Sequence, residues 1–99
     1  MITARMVGRV ARDSKVSANE YGKFVSFELN MFDYYKGQNY ITWVSVYSNK
    51  EKHISLVEQL IKGKLILVEG TLNLSIHRFK NRNTIQISVN ADYIHIVNG

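Results

Sequence analysis

From Phe24 to about Phe32 the chain alternates: Val25, Phe27, Leu29 and Met31 fall on one face, Ser26, Glu28 and Asn30 on the other. A period of two predicts a half-buried strand. Tyr40 to Tyr47 repeats the pattern, with Ile41, Trp43, Ser45 and Tyr47 on one side and Thr42, Val44 and Val46 on the other. Between them, Asp33–Asn39 contains Lys36-Gly37-Gln38-Asn39, a hairpin tip by composition. Upstream, Ile2 to about Asp13 reads as a first strand, with Gly8 as a bulge or bend. The polar segment Ser14–Gly22 reads as a loop.

A change of period follows. Ile54, Val57, Leu60 and Ile61 form one apolar stripe bordered by Leu56, which predicts a helix from about Asn49 to Lys62. Ser48 and Glu51 have the spacing of a capping box, and Gly63 suits the left-handed residue that ends a helix. Lys64 to about Phe79 is a long fourth strand with Ile66, Val68, Leu72, Leu74 and Ile76 pointing one way. Lys80-Asn81-Arg82-Asn83 is a second, basic hairpin tip, and Thr84 to about Val97 is a fifth strand with Ile85, Ile87, Val89 and Ala91 inward. Five strands with one helix between the third and fourth match the partly open Greek-key barrel called the OB-fold. The expected fold class is therefore all-β with one short helix, a single domain over residues 1–99 from which two long hairpins project.

Composition narrows the function. The 99 residues carry 13 Lys and Arg against 8 acids, for a net charge of +5. A basic balance fits a polyanionic partner. There is no cysteine, which removes disulfides and thiolate metal sites and is compatible with a reducing cytoplasm. The longest apolar run, Leu65–Val68, is far too short to span a bilayer, and no signal peptide is apparent, so no membrane partner is expected. The eight acids fall mostly in different elements with no spacing that suggests a general acid–base pair. His53, His77 and His95 do not form a ligand pattern, and the glycines are scattered rather than gathered into a phosphate loop. The expectation is a non-enzyme with no cofactor and no metal.

Aromatic and basic residues supply the remaining chemistry. Trp43 and Tyr47 are four apart, so both leave the same face of one strand, about 13 Å from each other at the usual strand rise. Exposed, they are platforms on which unpaired bases stack; buried, Trp43 packs the core and Tyr47 covers the helix start. Spacing alone allows both. Tyr34 and Tyr35 are neighbours, so one of them faces out or bends the strand. His77 offers a further flat ring, and Arg78-Phe79-Lys80-Asn81-Arg82 interleaves an aromatic with cations. Basic hairpins can wrap a phosphate backbone. Arg9, Arg78, Lys80 and Arg82 are the preferred phosphate contacts, while Lys50, Lys52 and Lys62 read as solubilising and helix-end residues.

An ordered set of segments resembles bacterial single-stranded DNA-binding proteins. Val7-Gly8-Arg9-Val10 with Asp13 resembles their opening strand, and Gly22-Lys23-Phe24-Val25-Ser26-Phe27-Glu28-Leu29 their second. Trp43-Val44-Ser45-Val46, Leu60-Ile61-Lys62-Gly63 and Val68-Glu69-Gly70-Thr71-Leu72 are similar to the third strand, helix end and fourth strand. Ala91-Asp92-Tyr93-Ile94 resembles the end of the domain. The resemblance implies an OB-fold that binds single-stranded DNA with little sequence preference in replication, recombination or repair, in a cytoplasmic, nucleoid, plasmid or phage setting. By position it places Trp43 on a family tryptophan, Tyr35 near an aromatic that ends the second strand, His77 or Phe79 near one on the fourth, and Tyr47 near another. It also implies a homo-oligomer, tetramer or dimer, with Ile2–Met6 at a strand-pairing interface, and possible replication or recombination partners.

The chain departs from that pattern. Family members usually add a flexible linker and an acidic tip, whereas this sequence ends at Ile96-Val97-Asn98-Gly99, as a tailless relative or one whose tip was removed. His77 in place of an indole lowers the expected affinity per domain. The alternatives are a PriB-like primosomal adaptor, which binds single strands and replication proteins, and an RNA-binding OB domain.

Overall fold

The computed structural model describes residues 1–97; the side chains of Asp33, Tyr34, Tyr35 and Phe79 lie outside the described set. Its strands are β1 (Ile2–Val10), β2 (Lys15–Asn19), β3 (Gly22–Tyr35), β4 (Gln38–Ser48), β5 (Leu65–Phe79) and β6 (Arg82–Ile96), with a short helix α1 (Glu51–Ile54) between β4 and β5. They form one sheet in the order β1-β5-β6-β4-β3-β2, closed by an additional β1–β3 pairing. All neighbours are antiparallel except β4 and β6, which run parallel over Val44–Tyr47 and Ile87–Asn90.

The first strand of the expected five is two segments in the structure. β1 pairs with β5 from Ile2 to Arg9, then crosses to β3 at Arg9 and Val10. After the turn at 11–14 the chain resumes as β2 on the edge of β3. Lys15–Asn19 is therefore a strand rather than a loop, and the barrel has five walls because β1 and β2 share one. Gly8 is not a bulge: its register on Ile66 is continuous. A Cβ there would lie 2.5 Å from the Asn30 carbonyl oxygen and 2.9 Å from Leu29 Cγ, closer than real contacts allow. Glycine is needed because β1 lies against β3 at that point.

The interior follows the register. Val10, Leu29 and Val44 stand opposite one another across β1, β3 and β4, and all are buried. Val25, Phe27, Val46, Ile66, Val68, Val89, Ala91, Ile94 and Leu60 complete the core cluster. On β6 the inward parity changes at Asp92, which has no partner because Glu69 pairs with Tyr93 and Gly70 with Ala91. This β-bulge lets Val89 and Ala91 on one side, and Ile94 on the other, all face the core.

Beyond the barrel each long hairpin pairs only with itself. β1 reaches β5 no further than Leu72, and β4 meets β6 only as far as Ile87. Leu74, Ile76 and Ile85, expected inward, are therefore exposed at 59%, 73% and 68%. No wall remains there to cover them. The two tips are tight turns at Lys36-Gly37 and Lys80-Asn81, all four with positive φ, the requirement of the two-residue hairpin loops that match strand twist.

The helix is shorter than its stripe predicts. Past Ile54 the chain continues as turns to Leu60, with Leu56 N, Val57 N and Gln59 N each donating to the carbonyl three residues back rather than four. Ser14 Oγ donates to Val57 O at 2.9 Å and Ser14 N to Leu60 O at 2.8 Å, which ties the segment to the turn after β1. The capping box does not form. Lys50 is the N-cap without a side-chain bond, and the Ser48 hydroxyl instead meets the Nδ1 of buried His53. Leu60 seals the barrel end, whereas Ile61 is exposed. Gly63, at positive φ, ends the segment as expected. No helix among the described residues is long and apolar enough to cross a membrane.

Burial, then the charges of Lys52 and Lys50, hold the His53 pKa below its ordinary value of 6.5. Between the folded and unfolded pKa values the unfolded chain binds a proton that the folded chain refuses. Stability from this residue is thus complete above about pH 6.5 and falls as the pH drops through that window. Urea unfolding from about pH 7.5 to 5 is expected to show the decline, and His53→Phe to flatten it. A wild-type profile that stayed level would contradict this role.

Candidate nucleic-acid interface

The outward side of β3 and β4 is built by the same register that fills the core. Arg9, Asn30 and Trp43 form one outward row across β1, β3 and β4, and Lys15, Ser26 and Tyr47 form another across β2, β3 and β4. Trp43 is 53% exposed and Tyr47 39% exposed. The core placement left open by their spacing is thus excluded. Phe24 shares this face, with its ring centroid 6.2 Å from that of Tyr47 and the planes tilted by 52°. Beyond Trp43, Phe32 and Ile41 continue the outward face as a cross-strand pair of exposed apolar side chains.

The Phe24–Tyr47 pair stands between two open clefts and lines both. The larger, about 720 Å³, also takes in Lys23, Asn49, Lys50, Asn90 and Asp92. The bulge at Asp92 breaks the alternation of β6 beside this cleft. The smaller, about 420 Å³, takes in Arg12, Lys15, Ser26, Glu28 and Ser45. Both lie in the range of small-ligand sites. In the smaller, the Ser45 hydroxyl meets Glu28 Oε1 at 3.0 Å and Oε2 at 3.2 Å. Asn30 Oδ1, in the row of Trp43, is buried with no hydrogen-bond partner among the described residues.

The expected site residues divide into groups. Trp43 and Tyr47 share the outward face of β4. Arg9 shares the row of Trp43, but one of its guanidinium nitrogens donates to the Gly63 carbonyl at 2.9 Å. His77, Arg78, Lys80 and Arg82 sit on the β5–β6 hairpin near its tip, where His77 Nε2 meets the Ser75 hydroxyl at 3.2 Å. Those residues are exposed. The side chains of Tyr34, Tyr35 and Phe79 lie outside the described residues.

Sequence reasoning missed Phe24, Arg12, Lys15, Lys23 and the pair Glu28–Ser45, and read Lys50 as solubilising although it lines the larger cleft. One signal was available. Phe24 has the parity of Ser26, Glu28 and Asn30, making it an apolar residue on the polar face. Among the described residues no three His, Asp or Glu side chains gather into a metal-binding group.

No protein-family model and no curated protein matches the chain in sequence. Solved structures do match in shape, two of them single-stranded DNA-binding proteins. A small single-stranded DNA-binding protein from Streptomyces coelicolor superposes with a TM-score of 0.82 at 19% identity, covering 97% of this chain and 94% of that one. A Plasmodium falciparum SSB in complex with ssDNA gives 0.76 at 15% identity, covering 99% of this chain and 96% of that one. The chain has the OB-fold. At these identities the likeness establishes architecture; the OB-fold's chemistry here rests on its own outward rings and clefts.

Exposure of Trp43 has a direct readout. Its fluorescence in the free protein is expected to be readily quenched by acrylamide and to emit near the wavelength of a solvated indole. A blue-shifted, acrylamide-resistant emission would place it in the interior and contradict the outward register.

Proposed function

We propose that the chain is a non-catalytic protein that binds single-stranded DNA with little sequence preference, stacking bases on its outward rings while cations at the cleft walls and hairpin tip neutralise phosphates. The observation that carries this reading is the half-exposed pair Trp43 and Tyr47 on one strand face, with Phe24 beside it and Arg12, Lys15, Lys23 and Lys50 lining the flanking clefts. Rings on a barrel face offer every base the same π surface, so stacking tolerates sequence. The cations release counterions when phosphates replace them, making affinity fall with salt. Among proteins of like architecture are a single-stranded DNA-binding protein and an SSB solved with ssDNA.

Magnitudes favour several domains on one strand. Each stacked base contributes about 1–3 kcal/mol. A few such contacts only match the roughly 4–15 kcal/mol cost of association. A homo-oligomer raises occupancy through effective concentration. The second edge of β1 supports such assembly: Ile2–Gly8 pairs with β5 on one side and meets β3 only from Arg9. Replication, recombination or repair is the setting this activity fits.

Titration with oligo-dT at low salt is expected to quench Trp43 fluorescence, with an affinity that falls steeply as salt rises. Trp43→Ala, followed by gel mobility, is expected to weaken binding by about 5- to 150-fold, the loss of one stacked base. Unchanged fluorescence and mobility on adding oligo-dT at low salt would refute DNA binding. Light scattering with and without poly-dT is expected to show more than one subunit per particle; a monomer under both conditions would remove the oligomeric part of the reading.

A further inference from the structure

A carboxylate on the path of a polyanion is repulsive unless it meets something other than phosphate. Glu28 is such a carboxylate. It is half-buried on the outward face of β3, between Ser26 and Asn30, and lines the smaller cleft with Phe24, Tyr47, Arg12 and Lys15. Ser45, directly opposite on β4, holds both of its oxygens at 3.0 and 3.2 Å. One hydroxyl supplies one hydrogen, whereas an ionised carboxylate offers about four acceptor positions. The group is oriented and retains capacity to accept more.

We propose that the smaller cleft seats one base whose edge is read by Glu28, which accepts a hydrogen bond from an exocyclic amino group and thereby favours cytosine over thymine. The inference rests on the outward face being the single-stranded DNA surface. The ring of Phe24 or Tyr47 supplies the stacking platform, and Arg12 and Lys15 take the flanking phosphate. Cytosine presents the N4 amino donor that a carboxylate accepts; thymine presents the O4 acceptor at the same position. Facing Glu28, thymine sets lone pairs against a negative charge. A cleft of about 420 Å³ admits a base. The result is a modest compositional preference superimposed on binding that is otherwise tolerant.

The test is a Trp43 fluorescence titration of the whole chain with oligo-dC and oligo-dT of equal length at one salt concentration. The wild type is expected to bind oligo-dC about fivefold or more tightly than oligo-dT. Glu28→Gln keeps the shape, removes the charge and replaces one acceptor oxygen with a donor that suits thymine O4. It is expected to abolish or reverse the ratio. Oligo-dC doubly methylated at N4 has no amino hydrogen and is expected to lose the preference on the wild-type protein, a readout that needs no folded variant. Equal wild-type affinity for oligo-dC and oligo-dT would overturn the assignment. So would a Glu28→Gln variant that binds both more tightly by the same factor, since that is the effect of charge alone. In both cases DNA binding itself would stand. Absence of binding to either oligomer would overturn the DNA reading and this inference with it.

Discussion

The closing ladder between β1 and β3 is the contact on which the rest of the molecule depends. Two register pairs, Arg9 with Asn30 and Val10 with Leu29, turn an open sheet into a barrel. Because side chains alternate, closure assigns every neighbouring position at once. Val10, Leu29 and Val44 go inside, and Arg9, Asn30 and Trp43 go outside. A one-residue slip would bury Trp43 and expose Val44. The missing Cβ of Gly8 permits the approach, since any side chain there meets the Asn30 carbonyl. Beyond it, the segment 57–64 is tied to β1 and the following turn through Gly63 N to Val10 O, Val10 N to Lys64 O, and Asp13 Oδ1 accepting from Lys62 N. These bonds fix the barrel end while leaving the outward face of β3 and β4 clear.

That face combines chemistries a core cannot hold. Half-exposed rings remain in water because the barrel interior is already filled by Phe27 and aliphatic side chains. Cations contributed by β2, β3, the turn after β1 and the segment after β4 line the two clefts. On the β1–β5–β6 wall, Arg5 is paired with Glu69 at 3.0 Å, and Tyr93 stacks on His95 with ring planes 8° apart.

How much of this was legible in the sequence depended on where the alternation was unbroken. β3 and β4 carry clean period-two patterns inside the barrel, and both their faces followed directly. The pattern misled at Leu74, Ile76 and Ile85, because an apolar period does not reveal where a hairpin leaves its neighbours. It gave no sign of the bulge after Ala91, where the extra residue Asp92 reverses the parity of β6. The helix was overestimated because an apolar stripe from Ile54 to Ile61 is equally compatible with a run of turns, whose backbone bonds here mostly reach three residues back. β2 was read as a loop because edge-strand side chains are polar and mostly exposed. The rings Trp43 and Tyr47 were found from spacing; Phe24 had only its parity with Ser26 to mark it, and the register that sets Ser26 opposite Tyr47 shows which ring it meets. The clefts exist only in three dimensions, so neither their cations nor Glu28 carried a local signal.

The central claim is that bases stack on the outward face of β3 and β4, between the clefts that flank it. Amide and indole chemical-shift mapping during titration with single-stranded DNA tests it most directly. The account predicts the largest changes at Lys15, Phe24, Glu28, the Trp43 indole and Tyr47, with little change at Arg5, Glu69, Tyr93 and His95. Shifts concentrated on that second group, with the Trp43 indole unmoved at saturation, would contradict it.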